Sequence, residues 1–324
     1  MKLRCQNEFF RRTQLTHFHM YSLPTGVKFF QRGWLSSNNV LIHDSDIAVL
    51  VDTGYWTHAV QTHALIRSEI GEQNLTAIYN THLHSDHCGG NAHLQTCYPD
   101  VLTLIPPGHA LYVDSWDLQT LTYNPTGQHC PRFSKTGLLN AGDTFKAANL
   151  IWQVHSAPGH DPHSVVIFNS LHGILISADA LWENGFGVVF PEIEGISAFD
   201  EVESTIQVIE SLSPRLVLPG HGAPFTGVES AIARARSRLN QFRNSPDQHA
   251  TYAAKVLLKF KLLEIQKSTL SDFLQWADDV TYLKLLHTNY SNGVSLEPWL
   301  HELCMSLEKS GACTIDDGFI HNLN

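Results

Sequence analysis

Through about residue 235 the chain alternates short apolar runs with amphipathic stretches. Runs rich in Val, Ile and Leu, bounded by Gly, Pro, Asn or Asp, read as strands at 27–31, 39–43, 47–51, 77–81, 101–105, 150–154, 164–168, 174–177 and 216–218. Helical spacing occupies 58–70, 88–95, 200–211 and 229–243. Such repeated alternation predicts an α/β layered architecture. After "RNSPDQHA" the texture changes. Tyr252, Val256, Phe260 and Leu263 share one helical face, Leu300, Leu303, Cys304 and Leu307 share another, and 311–320 reads as a hairpin. The expectation is a layered unit over 1–244 and a small, mostly helical module over 245–324.

Composition narrows the class. With 324 residues, 43% hydrophobic and 16% charged, the chain can bury a sizeable core. A formal charge of −10 argues against a nucleic-acid partner. No run reaches the roughly 18 apolar residues of a membrane span. The opening "MKLRCQNEFFRRTQLTHFHMYS" lacks the apolar run and cleavage site of a signal peptide. The six cysteines form no CxxC pair, so a reduced, cytoplasmic chain is expected. Histidine is the anomaly, with 20 against 21 Lys plus Arg.

The stretch "YNTHLHSDHCGGN" carries His82, His84, Asp86 and His87 directly after an apolar strand. Alternate residues of an extended chain share a side. His82, His84 and Asp86 are therefore expected to point together, and His87, at the start of the next helix, elsewhere. Two groups of nitrogen and oxygen ligands suit one or two borderline metals such as zinc. The rival reading, a solvated polar turn, does not call for this spacing. Other candidates also follow strands: His155, His160, Asp161 and His163 in "VHSAPGHDPHS", Asp179 in "ILISADALW" and His221 in "LVLPGHGAPF". Strand carboxyl ends are where α/β sheets gather functional residues.

In order along the chain, these motifs are the aspartate of "VDTG" (Asp52), the HxHxDH run, the "PGH" histidine (His160), the "SAD" aspartate (Asp179) and the "PGHG" histidine (His221). Together they resemble the metallo-β-lactamase superfamily over about residues 38–225. The resemblance implies a four-layer αββα sandwich with a dinuclear centre. It places His82, His84 and His160 on the first metal, Asp86, His87 and His221 on the second, and Asp179 between them. Asp52 would orient ligands without binding metal. Two zinc ions are implied, with iron or manganese as substitutes. Class B β-lactamases often carry cysteine in the place of Asp179 and often lack a ligand in the place of Asp86. The pattern here is closer to that of glyoxalase II, lactonases and processing nucleases.

The implied activity is hydrolysis of a thioester, lactone or other carboxylic ester, with Asp86 and Asp179 in catalytic roles. Three rivals are a single-iron oxygenase of sulfur compounds using His82, His160 and Asp179, a nucleic-acid phosphodiesterase, and a regulatory ligand binder. Many relatives have Ser or Thr after the "PGH" histidine and Gly two residues later. Asp161 and His163 stand there instead, so His163 is a candidate substrate contact, against the reading of a loop histidine. In "DALWENGFGVVFPE", Trp182, Phe186 and Phe190 are unusually large for a loop and are expected to wall an acyl pocket. Cys88 reads as a small helix-start residue. His17, His19, His58, His63, His109 and His129 lack metal spacing and read as ordinary histidines. Residues 245–324 are expected to cap the site or to form a homodimer interface.

Overall fold

The computed structural model describes residues 22–291 and 293–323. The stretch read for a targeting signal, with Cys5, His17 and His19, lies outside them. One sheet holds β1 (Val27–Phe30), β2 (Asn39–His43), β3 (Ala48–Val51), β4 (Ala77–Tyr79), β5 (Leu102–Ile105) and β6 (Gly137–Leu138), in that spatial order. A second holds β7 (Thr144–Ala147), β8 (Leu150–Ser156), β9 (Val165–Asn169), β10 (Ile174–Ala178) and β11 (Leu216–Pro219), in the order β11-β10-β9-β8-β7. Both sheets are mixed, with β3 to β6 parallel in the first and β10–β11 parallel in the second.

The strands read as continuous apolar runs because both faces are buried. Val40, Ile42, Val49 and Val51 of the first sheet meet Trp152, Val154, Val165, Ile167, Ile176 and Leu218 of the second. The intervening Leu41, Leu50 and Ile78 turn outward onto Ile66, Ile70 and Leu94 of helices Ala59–Ile70 and Asn91–Cys97. On the other side Val166, Phe168, Leu175 and Val217 meet Val202, Ile206, Ile232 and Leu239 of helices Phe199–Leu212 and Val228–Asn244. The period of two along each strand thus produces four layers, helix, sheet, sheet, helix.

The expected helix over 88–95 is instead two pieces, Ser85–Cys88 and Asn91–Cys97. The break falls at Gly89 and Gly90, which lie against the segment after β3. A Cβ on Gly90 would sit 2.6 Å from the Thr53 carbonyl oxygen, and one on Gly89 would sit 2.7 Å from the Trp56 nitrogen. Strands β6 and β7 carry no clear apolar run. The first has only two residues, and the second alternates in exposure along "TFKA" at a sheet edge.

The C-terminal region has helices Pro246–Ile265, Leu270–Asp279, Thr281–Tyr290 and Leu296–Lys309. It also has a small sheet of β12 (Lys267–Thr269), β13 (Cys313–Asp316) and β14 (Phe319–Asn322), so the hairpin has a third strand. Lys259 closes this region on itself. Its ammonium donates to the carbonyls of Ala312 (2.7 Å) and Leu323 (2.6 Å). The region's core also takes in Val188 and Ile193 from the chain after β10. Among the described residues, no helix is long and apolar enough to cross a membrane.

Candidate metal centre

Strands β3, β4, β8, β10 and β11 each deliver polar residues to one edge of the sandwich. Asp52 follows β3, His82 and His84 follow β4, His160 follows β8, Asp179 follows β10 and His221 follows β11. Two of these turns use left-handed backbone without glycine, at Asp52 (φ 57°) and Ala178 (φ 46°). Such conformations cost energy and collect at functional sites.

The side chains form two trios around one carboxylate. His82, His84 and His160 make the first, with His84 Nδ1 2.9 Å from His160 Nε2. Asp86, His87 and His221 make the second, with His221 Nε2 3.0 Å from Asp86 Oδ2. Within each trio the donor atoms lie within 4.8 Å of one another. Asp179 stands between them. Its Oδ1 is 3.4 Å from His87 Nε2, and its Oδ2 is 3.4 Å from His160 Nε2 and 3.7 Å from His221 Nε2. Asp86 does not align with His82 and His84 as strand alternation predicted. The chain turns helical at Ser85, which carries Asp86 over to the His87 and His221 side.

Outer hydrogen bonds set the ring orientations. His87 Nδ1 lies 2.7 Å from Asp52 Oδ2, and His160 Nδ1 lies 2.5 Å from the Val188 carbonyl. Thr81 Oγ1 lies 3.1 Å from His82 Nδ1. Asp52 also accepts from Thr81 N (2.9 Å) and Thr81 Oγ1 (2.8 Å). Among the described residues, the buried Nε2 atoms of His82 and His87 have no hydrogen-bond partner. A buried nitrogen without a partner is costly unless something else fills it. Nitrogen orphans facing a shared carboxylate, each ring held from behind by an oxygen, fit a borderline metal cation.

The charge balance agrees. Burial, then the neighbouring imidazoles, holds His82 well below the usual histidine range, and burial with His160 pushes His84 down to about 3. Burial also lowers His160. Neutral imidazole is the form that ligates. On the other side, burial opposes a charge on His87, but Asp179, Asp52 and Asp86 together raise it well above its ordinary value. Against the same burial, His221 and His87 keep Asp179 well below the carboxylate range. Three carboxylates crowded around buried rings call for positive charge.

A cavity of about 350 Å³ opens over this centre. His84, Asp86, His160, Asp179 and His221 form its floor. Trp34, Trp182 and Phe190 stand beside the floor, and Tyr252, Val256, Phe260 and Leu263 of helix Pro246–Ile265 line the rest. The Trp182 indole donates to Asp179 Oδ1 (3.2 Å). Trp34 stacks on His221 with ring centroids 5.2 Å apart and planes at 6°. Sequence reasoning missed Trp34, because a lone tryptophan on a loop carries no ligand spacing.

Two of the expected substrate contacts do not line this cavity. Phe186 is 1% exposed and packs behind the site against Phe242 and the Arg238 guanidinium, because its side chain completes the helix–sheet core. His163 is not among the cavity's lining residues and packs on His109, ring centroids 4.5 Å apart. Its backbone N–H donates to Asp161 Oδ1 (2.7 Å). Cys88 turns its thiol toward Tyr123 and Cys130 instead of the centre. His58 and His129 contact Ser36 and Trp56, whereas His63 meets His93 and Cys97.

Residues 32–221 match the sequence model of the metallo-beta-lactamase superfamily, and all the residues of the two trios, with Asp52 and Asp179, fall inside that span. The chain belongs to this superfamily. Among curated relatives, it is 26% identical to a hydroxyacylglutathione hydrolase of Synechococcus sp. over 244 residues, covering 73% of this chain and 83% of the relative. It is 28% identical to a hydroxyacylglutathione hydrolase of Nostoc sp. over 262 residues, covering 75% and 86%. A metallo-beta-lactamase family protein from Thermus thermophilus shares the fold at TM-score 0.54 and 17% identity, over 93% of this chain and all (100%) of that one. A beta-lactamase domain protein from Burkholderia ambifaria does so at TM-score 0.54 and 20% identity, over 83% and 88%.

A buried histidine outside the centre makes folding stability depend on pH. His249 Nε2 accepts from Val189 N (3.1 Å), next to the Val188 carbonyl that His160 uses. Burial, then Arg238, pushes His249 down to about 4. Between the unfolded value near 6.5 and this folded value, the unfolded chain binds the proton more readily. This contribution to stability is complete above about pH 6.5 and is lost as pH falls toward 4; its full size is about 3 kcal/mol. In urea unfolding at several pH values, wild type should lose about that much more stability than His249→Gln over the window. Parallel curves would show that His249 is not the group responsible.

Proposed function

We propose that the protein is a dinuclear metal-dependent hydrolase acting on a thioester or related carboxylic ester with an apolar acyl part. The observation that carries this reading is two ligand trios sharing Asp179 at the floor of a mostly apolar cavity. The naming of the curated relatives as hydroxyacylglutathione hydrolases supports a thioester. Two zinc ions, or iron or manganese in their place, would supply a Lewis acid and a water of lowered pKa.

The protein's own groups do the rest. His82, His84 and His160 would hold one ion and Asp86, His87 and His221 the other, with Asp179 reaching both. The Trp182 indole N–H fixes the Asp179 carboxylate from the cavity side. Asp86 lies on the cavity floor with Oδ2 against His221 Nε2, where it can take up and pass on a proton during turnover. Trp182, Phe190 and the apolar face of helix Pro246–Ile265 exclude water and hold the acyl chain. In this reading the C-terminal helices cap the site. The complete second trio favours two metals over a single-iron oxygenase, and the apolar lining favours an acyl group over a polyanion.

The test is a panel of acyl thioesters of rising chain length, with metal content verified first. Val256→Trp should obstruct the far wall and raise KM for long acyl chains by about tenfold while sparing short ones, as the loss of one to two buried methylenes would. Trp182→Ala should flatten the chain-length preference. Unchanged preference in both fully metallated variants would sink the acyl-pocket assignment.

A further inference from the structure

A second cluster of metal-ligating side chains lies outside the centre just described. His63 is on helix Ala59–Ile70, and His93 and Cys97 are on helix Asn91–Cys97. None of the three lines the cavity over the ligand trios. Positions 93 and 97 are four apart, so their side chains lie one above the other on a single helix face. Packing of the two helices on the outer face of the first sheet brings His63 to that face. We propose that His63, His93 and Cys97 form an additional metal site, suited to zinc and separate from the catalytic centre.

The geometry carries the argument. The three donor atoms lie within 4.8 Å of one another. Cys97 Sγ is 3.5 Å from His93 Nε2 and 3.7 Å from His63 Nδ1. With Zn–S near 2.3 Å and Zn–N near 2.05 Å, a tetrahedral ion sets its sulfur and nitrogen ligands about 3.6 Å apart. Both observed edges match that spacing before any rearrangement. One thiol proton can be given to only one of two rings, whereas a cation serves all three donors. All three residues are half-buried, so solvent can supply a fourth ligand. Arg67, the nearby cation on the His63 helix, pairs with Glu72 at 2.5 Å. The Tyr98 ring packs against His63, centroids 5.4 Å apart, and limits its rotation.

Such an ion would have a structural effect. Helix Asn91–Cys97 continues directly from the loop that carries His82 to His87 through Gly89 and Gly90. Clipping its last turn to helix Ala59–Ile70 would hold that loop from behind. Binding requires release of the Cys97 thiol proton and leaves the sulfur as a thiolate ligand.

Cobalt(II) distinguishes this site from the catalytic one, because the two trios and Asp179 offer only nitrogen and oxygen. Full-length protein stripped of metal and loaded with cobalt(II) should show a thiolate-to-cobalt charge-transfer band in the near ultraviolet. The band should vanish in Cys97→Ser and in His63→Ala and persist in Cys5→Ser, Cys88→Ser and Asp179→Ala. Retention in Asp179→Ala keeps this result independent of the proposed hydrolase. A saturated wild-type protein without the band, or a band undiminished in Cys97→Ser, overturns the proposal.

Discussion

Asp179→Ala is expected to lower turnover on the order of 10³-fold or more, since loss of a single group that stabilises transition-state charge already costs about 10²–10³-fold. Asp179 is the carboxylate both trios face, with contacts of 3.4 Å to His87 and His160 and 3.7 Å to His221. Its removal leaves the clusters unlinked and subtracts one of the three carboxylates that surround His87. Metal content should fall by about one ion per chain relative to wild type. The measurement is metal analysis beside single-turnover kinetics, on protein purified without chelators. Unchanged metal content together with wild-type turnover in Asp179→Ala would refute the bridging role.

The second large effect is expected at Asp52, which does not line the cavity over the centre. Its carboxylate, 3% exposed, accepts from Thr81 N, Thr81 Oγ1 and His87 Nδ1. Asp52→Ala would leave Thr81 N and His87 Nδ1 buried without a partner, at a cost of about 3–5 kcal/mol, as for a broken buried ion pair. It would also place a Cβ without a local polar partner at φ 57°. Asparagine tolerates that backbone and can still accept one or two of these bonds. Asp52→Asn should therefore fold, yet bind metal about 10–100-fold more weakly, because His87 loses the anion that fixes its ring. Urea unfolding and chelator competition read the two effects separately. Equal metal affinity in Asp52→Asn and wild type would mean that His87 is oriented by something else.

The failures of sequence reading have physical causes. Strand alternation does not extend as far as Asp86, because helix formation at Ser85 is set by where the Gly89–Gly90 backbone meets Thr53 and Trp56. Phe186 and Phe190 are four apart, the second opening the short helix Phe190–Ile193, yet the first fills the core and the second faces the cavity. Aromatic character alone does not say which side of a loop is solvent. His63 reads as isolated because its partners are 30 and 34 residues away, and only packing of two helices on a common sheet brings them together.

What the sequence determined by itself was local in origin. Apolar runs bounded by turn residues gave the strands, and burial on both faces made those runs continuous. Polar ligand types at strand ends marked the centre, since no packed core requires three histidines and an aspartate within six residues. Tertiary structure decided everything that depends on separation in space. It set which nitrogen of each ring is tied down and which is left facing Asp179. It seated helix Pro246–Ile265 over the centre and so made the cavity apolar. It also brought Trp34 against His221 and His63 against Cys97. Periodicity records which face of an element is buried. It carries no record of which distant element covers that face, because that follows from packing the whole chain at once.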